Sequence, residues 1–234
     1  MLTTVLDLIL PPRCAGCGGA GAVLCPPCLG RMRADPFPRP PGSSPRGLPE
    51  CWAAAPYEGV PRRVILAYKE RGRTALRPAL AACLVATLVA AAGTPTAPLL
   101  LVPVPSSPRA VRRRGHDPVG RLAALAARRL RARGCPVVAA PVLRHRRHVR
   151  DQAGLSASER AGNLAGAFEV AGPGTWRAMA STAARGRLSA RPVAVLVDDI
   201  VTTGATLAEA AGALRAEGVA VPLAVALAAT RRHL

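Results

Sequence analysis

Two short stretches of this 234-residue chain hold residue types whose spacing could do chemistry. The first runs Val193-Ala-Val-Leu-Val-Asp-Asp-Ile-Val-Thr-Thr-Gly-Ala-Thr206. An apolar run leads straight into two carboxylates, Asp198 and Asp199, and then into a turn of hydroxyls and small residues, Thr202, Thr203, Gly204, Ala205 and Thr206. Backbone N–H groups and hydroxyls gathered where such a turn opens a helix make a site for a phosphate dianion. A glycine in the turn lets the backbone approach closely and accept a positive φ. Carboxylates beside a phosphate would repel it unless they face something else, such as ribose hydroxyls or a Mg²⁺ ion. Neighbours on a strand point to opposite sides, so Asp198 and Asp199 cannot share one role. The plainer alternative is a strand, an acidic turn and a threonine capping a helix. The stretch is not a Walker A loop, since no Gly-Lys-Ser/Thr follows a glycine-rich loop, and no G-x-G-x-x-G follows a strand.

The second stretch is Cys14-Ala-Gly-Cys17 and, after seven residues, Cys25-Pro-Pro-Cys28. Each C-x-x-C knuckle places two thiolates on one turn, and two knuckles complete a tetrahedral Zn²⁺ site with no open position. Two disulfides would need an oxidising compartment, and a redox C-x-x-C usually stands singly beside a βαβ pattern. Cys14, Cys17, Cys25 and Cys28 are therefore the expected ligands of a structural zinc ion. Cys51, Cys83 and Cys135 stand alone, and Cys83, among Ala and Leu, reads as a small core residue.

The elements that must position these groups are written in the hydrophobic pattern. Met1–Leu10 is apolar, with its first positive charge downstream at Arg13, so it reads as a short packed helix and not as a secretory signal. Asp35–Pro49 is rich in Pro, Gly and Arg and reads as a linker. Helices are expected over Arg62–Glu70, with Val64, Ile65 and Tyr68 on one face, over Arg77–Ala92, over Gly120–Arg133 and from about Thr206 to Glu217. Buried strands are expected at Leu99–Val104, Val137–Leu143, Val193–Val197 and Val221–Ala229. Gly172–Arg191 reads as a polar insertion. The 14-residue apolar run Ala79–Ala92 is too short to span a bilayer, which leaves a cytoplasmic protein with no membrane span as the expectation. Strands alternating with helices predict an α/β fold with an open, mostly parallel sheet. Residues 1–50 form a small N-terminal module of helix, zinc knuckles and linker, and residues 51–234 the α/β domain.

Charge narrows the partner. There are 32 basic and 13 acidic residues, a formal +19, and Lys69 is the one lysine among the basic residues. Aromatics make up 3%, too few for a row of rings on which bases stack. Phosphate remains as the natural partner. Between Arg109 and Arg150 stand 13 arginines and one acid, Asp117, which together supply +12 of the total.

The string Val193–Thr206 resembles the phosphoribosyl-pyrophosphate (PRPP) signature of type I phosphoribosyltransferases, and the chain at large resembles the ComF family, competence-associated proteins with an N-terminal zinc finger and a phosphoribosyltransferase-like domain. That resemblance rests on the double C-x-x-C, on Tyr57-Glu-Gly59 and Lys69, and on Val102-Pro-Val-Pro105 followed by the Arg109–Gly115 run. It rests also on Asp151-Gln-Ala-Gly-Leu155 with Arg160, Asn163 and Gly166-Ala-Phe168, and on the signature itself. It implies that Asp198 and Asp199 are the catalytic pair that holds the ribose hydroxyls, while Thr202, Thr203, Gly204, Ala205 and Thr206 cradle the 5′-phosphate. Ser106 and Ser107, on the turn after the first strand, would sit where pyrophosphate binds, with Arg109, Arg112, Arg113 and Arg114 neutralising it or a nucleic-acid backbone. Gln152, Arg160 and Asn163 would reach in from a loop over the site, although Ser156 with Glu159 also reads as a simple capping box. Where the family usually shows an aromatic, Asn and Gln, this chain has His116, Asp117 and Pro118.

Three functions follow from the resemblance. One is pentosyl-group transfer: Mg²⁺ accompanies PRPP, pyrophosphate leaves and a nucleophile attacks C1, in nucleotide metabolism or DNA uptake. Another is a non-catalytic, single-stranded-DNA-associated competence protein working with the DNA-uptake machinery. The third is a PRPP-sensing regulator. No residue identifies an acceptor base, and none stands out as a general base.

Overall fold

The computed structural model describes residues 11–33, 35–38, 45–146, 166–172, 174–184 and 193–230. Along the chain these form α1 (Pro26–Met32), β1 (Phe37–Pro38), β2 (Glu50–Ala53), α2 (Gly59–Lys69), a 3₁₀ turn (Thr74–Leu76), α3 (Arg77–Ala92) and β3 (Leu99–Pro103). There follow α4 (Pro108–Arg114), α5 (Pro118–Arg131), β4 (Val137–Ala139), β5 (Leu143–His145), β6 (Phe168–Val170), α6 (Thr175–Ala184), β7 (Val193–Val201), α7 (Ala205–Ala216) and β8 (Ala220–Ala229).

β3, β7 and β8 are near-continuous runs of Val, Leu and Ala, as strands covered on both faces must be. They make the middle of a six-stranded sheet of order β1-β2-β8-β7-β3-β4, parallel throughout except for the β1–β2 pair at one edge. The pleat divides the core in two. Val195 and Val197 of β7 pack on the face covered by α2, α3 and α5, while Ala194 and Leu196 pack on the opposite face with Leu207, Ala210 and Leu214 of α7. The two halves of the sheet are wound in opposite directions. From β3 the chain crosses over α5 outward to β4, and from β7 it crosses over α7 the other way to β8. β3 and β7 are hydrogen-bonded neighbours, so a crevice opens between their carboxyl ends, the place where open α/β sheets bind ligands.

Several boundaries differ from expectation. β7 continues to Val201 and so carries both aspartates inside the strand. The expected strand at Val137–Leu143 is two short strands in different sheets, β4 in the main sheet and β5 paired antiparallel with β6, broken around Pro141. The linker region contributes β1, the edge strand, which pairs with β2, a strand that a four-residue run did not announce. Part of the supposed polar insertion is α6, which lies against β3 and β4 and buries Trp176. The stretch Thr74–Ala92 is long and apolar enough to cross a membrane, but a core helix meets the same criterion, and Leu80, Leu84 and Leu88 are here buried within the protein. Cys51, Cys83 and Cys135 are buried core residues, and burial pushes the Cys83 thiol up. The expected N-terminal helix at Met1–Leu10 lies outside the described residues.

Candidate functional site

At the N-terminal end, two local devices gather four sulfurs. Arg13 bridges Ala20 in an antiparallel pair, closing a knuckle that carries Cys14 and Cys17. Cys25 is the N-cap of α1, whose Pro26 and Pro27 suit a first helical turn, and Cys28 follows within that turn. The four Sγ atoms lie within 4.8 Å of one another, so the cluster could hold a metal ion such as zinc. Cys14 Sγ is 3.5 Å and Cys17 Sγ 3.7 Å from Cys25 Sγ, the spacing of ligands around an ion and far beyond the roughly 2.05 Å of a disulfide.

Electrostatics around the sulfurs are uneven. Burial works against the Cys14 thiolate, but backbone N–H groups of Cys25, Cys17 and Gly16 facing its sulfur outweigh that and bring it down to about 6. Burial, reinforced by the neighbouring sulfurs, pushes Cys28 up to about 12. A cation among them would turn that repulsion into attraction. The cluster packs directly on α2: a Cβ at Gly16 would stand 2.7 Å from Cys28 Sγ and 2.9 Å from Val60 Cγ1. Arg63 of α2 donates to the Gly16 carbonyl at 2.5 Å, and Arg73 donates to the Arg13 carbonyl.

The second site is the crevice, about 400 Å³, between β3 and β7. Its floor is the end of β7, Asp198 to Ile200 with Thr202 and Thr206, and one wall is the end of β3 continued through Val104, Pro105 and Ser106. Lys69 and Tyr57 enter from α2 and the segment before it, and Val119 from the start of α5. Gly204 is the N-cap of α7 at φ 84°, a left-handed position that a side chain would strain. The Thr203 hydroxyl accepts from the Ala205 N–H at 3.2 Å and tightens the turn.

The two aspartates have different surroundings, as the pleat requires. Asp199 is buried on the α2 side, where it forms an ion pair with Lys69. Asp198 lines the crevice, and its Oδ1 accepts from the Asp199 N–H at 2.8 Å. Burial first, and then the charge of Asp199, hold the Asp198 carboxyl well above the ordinary 3.8. Such a pair offers one carboxyl that readily keeps its proton and one carboxylate already matched by a cation. Both suit hydroxyl groups better than an unshielded anion.

The expected anion residues are brought only partly together. Ser106 lines the crevice, but the Ser107 hydroxyl caps α4 by accepting from the Ala110 N–H at 3.3 Å. Arg109, Arg112, Arg113 and Arg114 are on α4 and none is among the crevice-lining residues. Arg114 donates twice to Glu70, at 2.5 and 3.1 Å, and Arg113 once, at 2.8 Å. Gln152, Arg160 and Asn163 lie outside the described residues. His116 is buried, its Nδ1 donating to the Arg114 carbonyl at 3.0 Å and its ring edge-on to Tyr68.

Glu70 and His145 were not foreseen. The His145 Nε2 donates to the Pro105 carbonyl at 2.9 Å and so braces the turn after β3. A carboxylate next to the one lysine of an arginine-rich chain was the available signal for Glu70, whereas nothing local marked His145. Among family models and curated proteins, none matches this chain.

Two outcomes test these sites. Gly16→Ala crowds Cys28 and Val60, so it costs about 1–3 kcal/mol of stability and, if the cluster is loaded with zinc, lowers the metal retained after dialysis against a weak chelator. Unchanged metal content and melting temperature would show that the cluster does not seat on α2 as described. For Asp198, the raised carboxyl means that the folded protein keeps a proton which the unfolded chain releases. Stability therefore grows as pH falls from the raised value toward 3.8, and the charge is a cost at neutral pH. Asp198→Asn should melt higher than the parent at neutral pH, and the gap should close as pH approaches 4; a gap independent of pH would refute the assignment.

Proposed function

We propose that the crevice binds PRPP or a related phosphoribosyl ligand, and that the chain is a ComF-like protein whose phosphoribosyltransferase-type domain serves DNA uptake or nucleotide metabolism. The observation that carries this reading is the succession on one central strand: Asp198 and Asp199 enter the crevice, and the Thr202–Thr206 turn opens α7 immediately beyond them. Asp198 and Asp199 take the ribose hydroxyls, and the turn with its helix N-terminus takes the 5′-phosphate. The diphosphate then points along the Pro105–Ser106 wall. Mg²⁺ would arrive with the diphosphate and supply neutralisation of the leaving group. The four cysteines hold a Zn²⁺ ion as a closed structural site, a role that four clustered thiols fit.

Calorimetric titration of PRPP with Mg²⁺ tests the reading. Saturable heat is expected, and Asp198→Asn should weaken binding about tenfold or more by replacing the carboxyl that hydrogen-bonds the ribose hydroxyls. No heat, or heat indifferent to the substitution, rejects it. A screen for pyrophosphate release with nucleobases then separates a transferase from a sensor.

A second reading is favoured by one observation. Arg112, Arg121 and Arg128 are exposed on α4 and α5, outside the crevice, where a nucleic-acid backbone could lie. If single-stranded DNA binds there, log K falls linearly with log salt; a flat dependence excludes phosphate neutralisation by these arginines.

A further inference from the structure

Among the described residues, Lys69 is the one cation that lines the crevice. The arginines expected to meet a diphosphate lie outside it, and Arg113 and Arg114 are held by Glu70. Of the described side chains that line this pocket with its two aspartates, Lys69 is therefore the one that offers a phosphate-bearing ligand a positive charge. At rest that ammonium is paired with Asp199, while its side chain lines the crevice and stays 25% exposed.

Residue chemistry points the same way. This chain uses arginine at every other basic position. A guanidinium opposite Asp199 would lock onto the carboxylate through two parallel hydrogen bonds. An ammonium is a compact point charge with three donors on a flexible stem, and can hold a carboxylate with one N–H while presenting the others to a phosphate. Glu70, the next residue, ties the end of α2 to α4 and so fixes where the lysine reaches.

We propose that Lys69 is the residue that contacts the diphosphate end of the ligand, swinging from Asp199 alone to a position shared between Asp199 and the diphosphate beside Ser106. This rests on the phosphoribosyl reading of the crevice. The competing role is purely structural: Lys69 would neutralise Asp199 and never touch a ligand.

A single lysine makes the two roles separable. In full-length protein grown on ¹³C-lysine, the side chain gives one ε-methylene cross-peak. Inorganic pyrophosphate with Mg²⁺ should shift that peak saturably. The second measurement is pyrophosphate affinity in an Asp199→Asn background, where the structural role has been removed. There Lys69→Met should still weaken binding about tenfold or more. If pyrophosphate and PRPP bind but the cross-peak is static, or if Lys69→Met costs nothing in that background, Lys69 is structural and only this inference falls. If neither ligand binds the unaltered protein, the phosphoribosyl reading falls and takes this inference with it.

Discussion

β3 and β7 lie side by side, yet the chain leaves them in opposite directions, and every candidate functional group in the crevice depends on that arrangement. Had both connections run the same way, a helix would cover the carboxyl end of each strand and no cleft would open. As it is, the turn at Pro105–Ser106 and the turn at Thr202–Gly204 face each other across the gap. The pleat of β7 then sets the electrostatics. Because Val195 and Val197 face α2, Asp199 does as well, and it meets the lysine at the end of that helix. A shift of register by one residue would bury Asp198 against α2 and leave Lys69 opposite Ile200.

The cysteine cluster belongs to the same construction. Cys14, Cys28 and Met32 are continuous with the core on the α2 face, so the knuckles pack against the helix whose far end delivers Lys69. Gly16 permits this approach, and Arg63 and Arg73 tether the knuckle carbonyls. A metal held by the four thiols would stiffen the outer surface of α2. Its effect on the crevice would travel through one helix, with no direct contact between the sites.

What the sequence disclosed and what it hid have physical causes. The parallel sheet was legible because strands covered on both faces must be continuously apolar, and Leu99–Val104, Val193–Val197 and Val221–Ala229 are. The four-cysteine cluster was legible because C-x-x-C spacing is a local property of the chain. β1 and β2 were not, since they are two and four residues long and are defined by pairing with distant segments. α6 was hidden inside a polar stretch because its decisive residue is a single buried tryptophan. The extension of β7 through Asp198 and Asp199 was hidden because charged residues are read as the end of a strand, whereas here they are strand residues with partners across the sheet face. The distribution of cationic residues was legible only in type: arginines were abundant after β3, but which described cation reached the crevice depended on where α2 ended.

The positive charge itself has a more structural role than its size suggested. Within the arginine-rich block, Arg113 and Arg114 are paired with Glu70, Arg129 donates to the Pro78 carbonyl, and Arg131 donates to the Val137 carbonyl. Beyond it, Arg63 and Arg73 do the same for the knuckle, and Arg215 for Gly47 and Val221. A guanidinium carries five donors on a long stem, so it can satisfy a carbonyl at a helix end or strand edge and still expose the rest of its charge to water. Arginine is thus used here as a tether between elements. Tethering to a carbonyl cancels no charge, and the surface over α4 and α5 stays strongly positive while most of that charge remains outside the crevice. On the phosphoribosyl reading proposed above, a phosphate arriving from solution would be drawn toward this face by the sum of the arginines, but inside the cleft it would be sorted by a few groups: two aspartates, one lysine and the threonine turn. Attraction and recognition would then be carried by different residues, so that net charge could indicate a class of ligand without indicating the residue that would hold it.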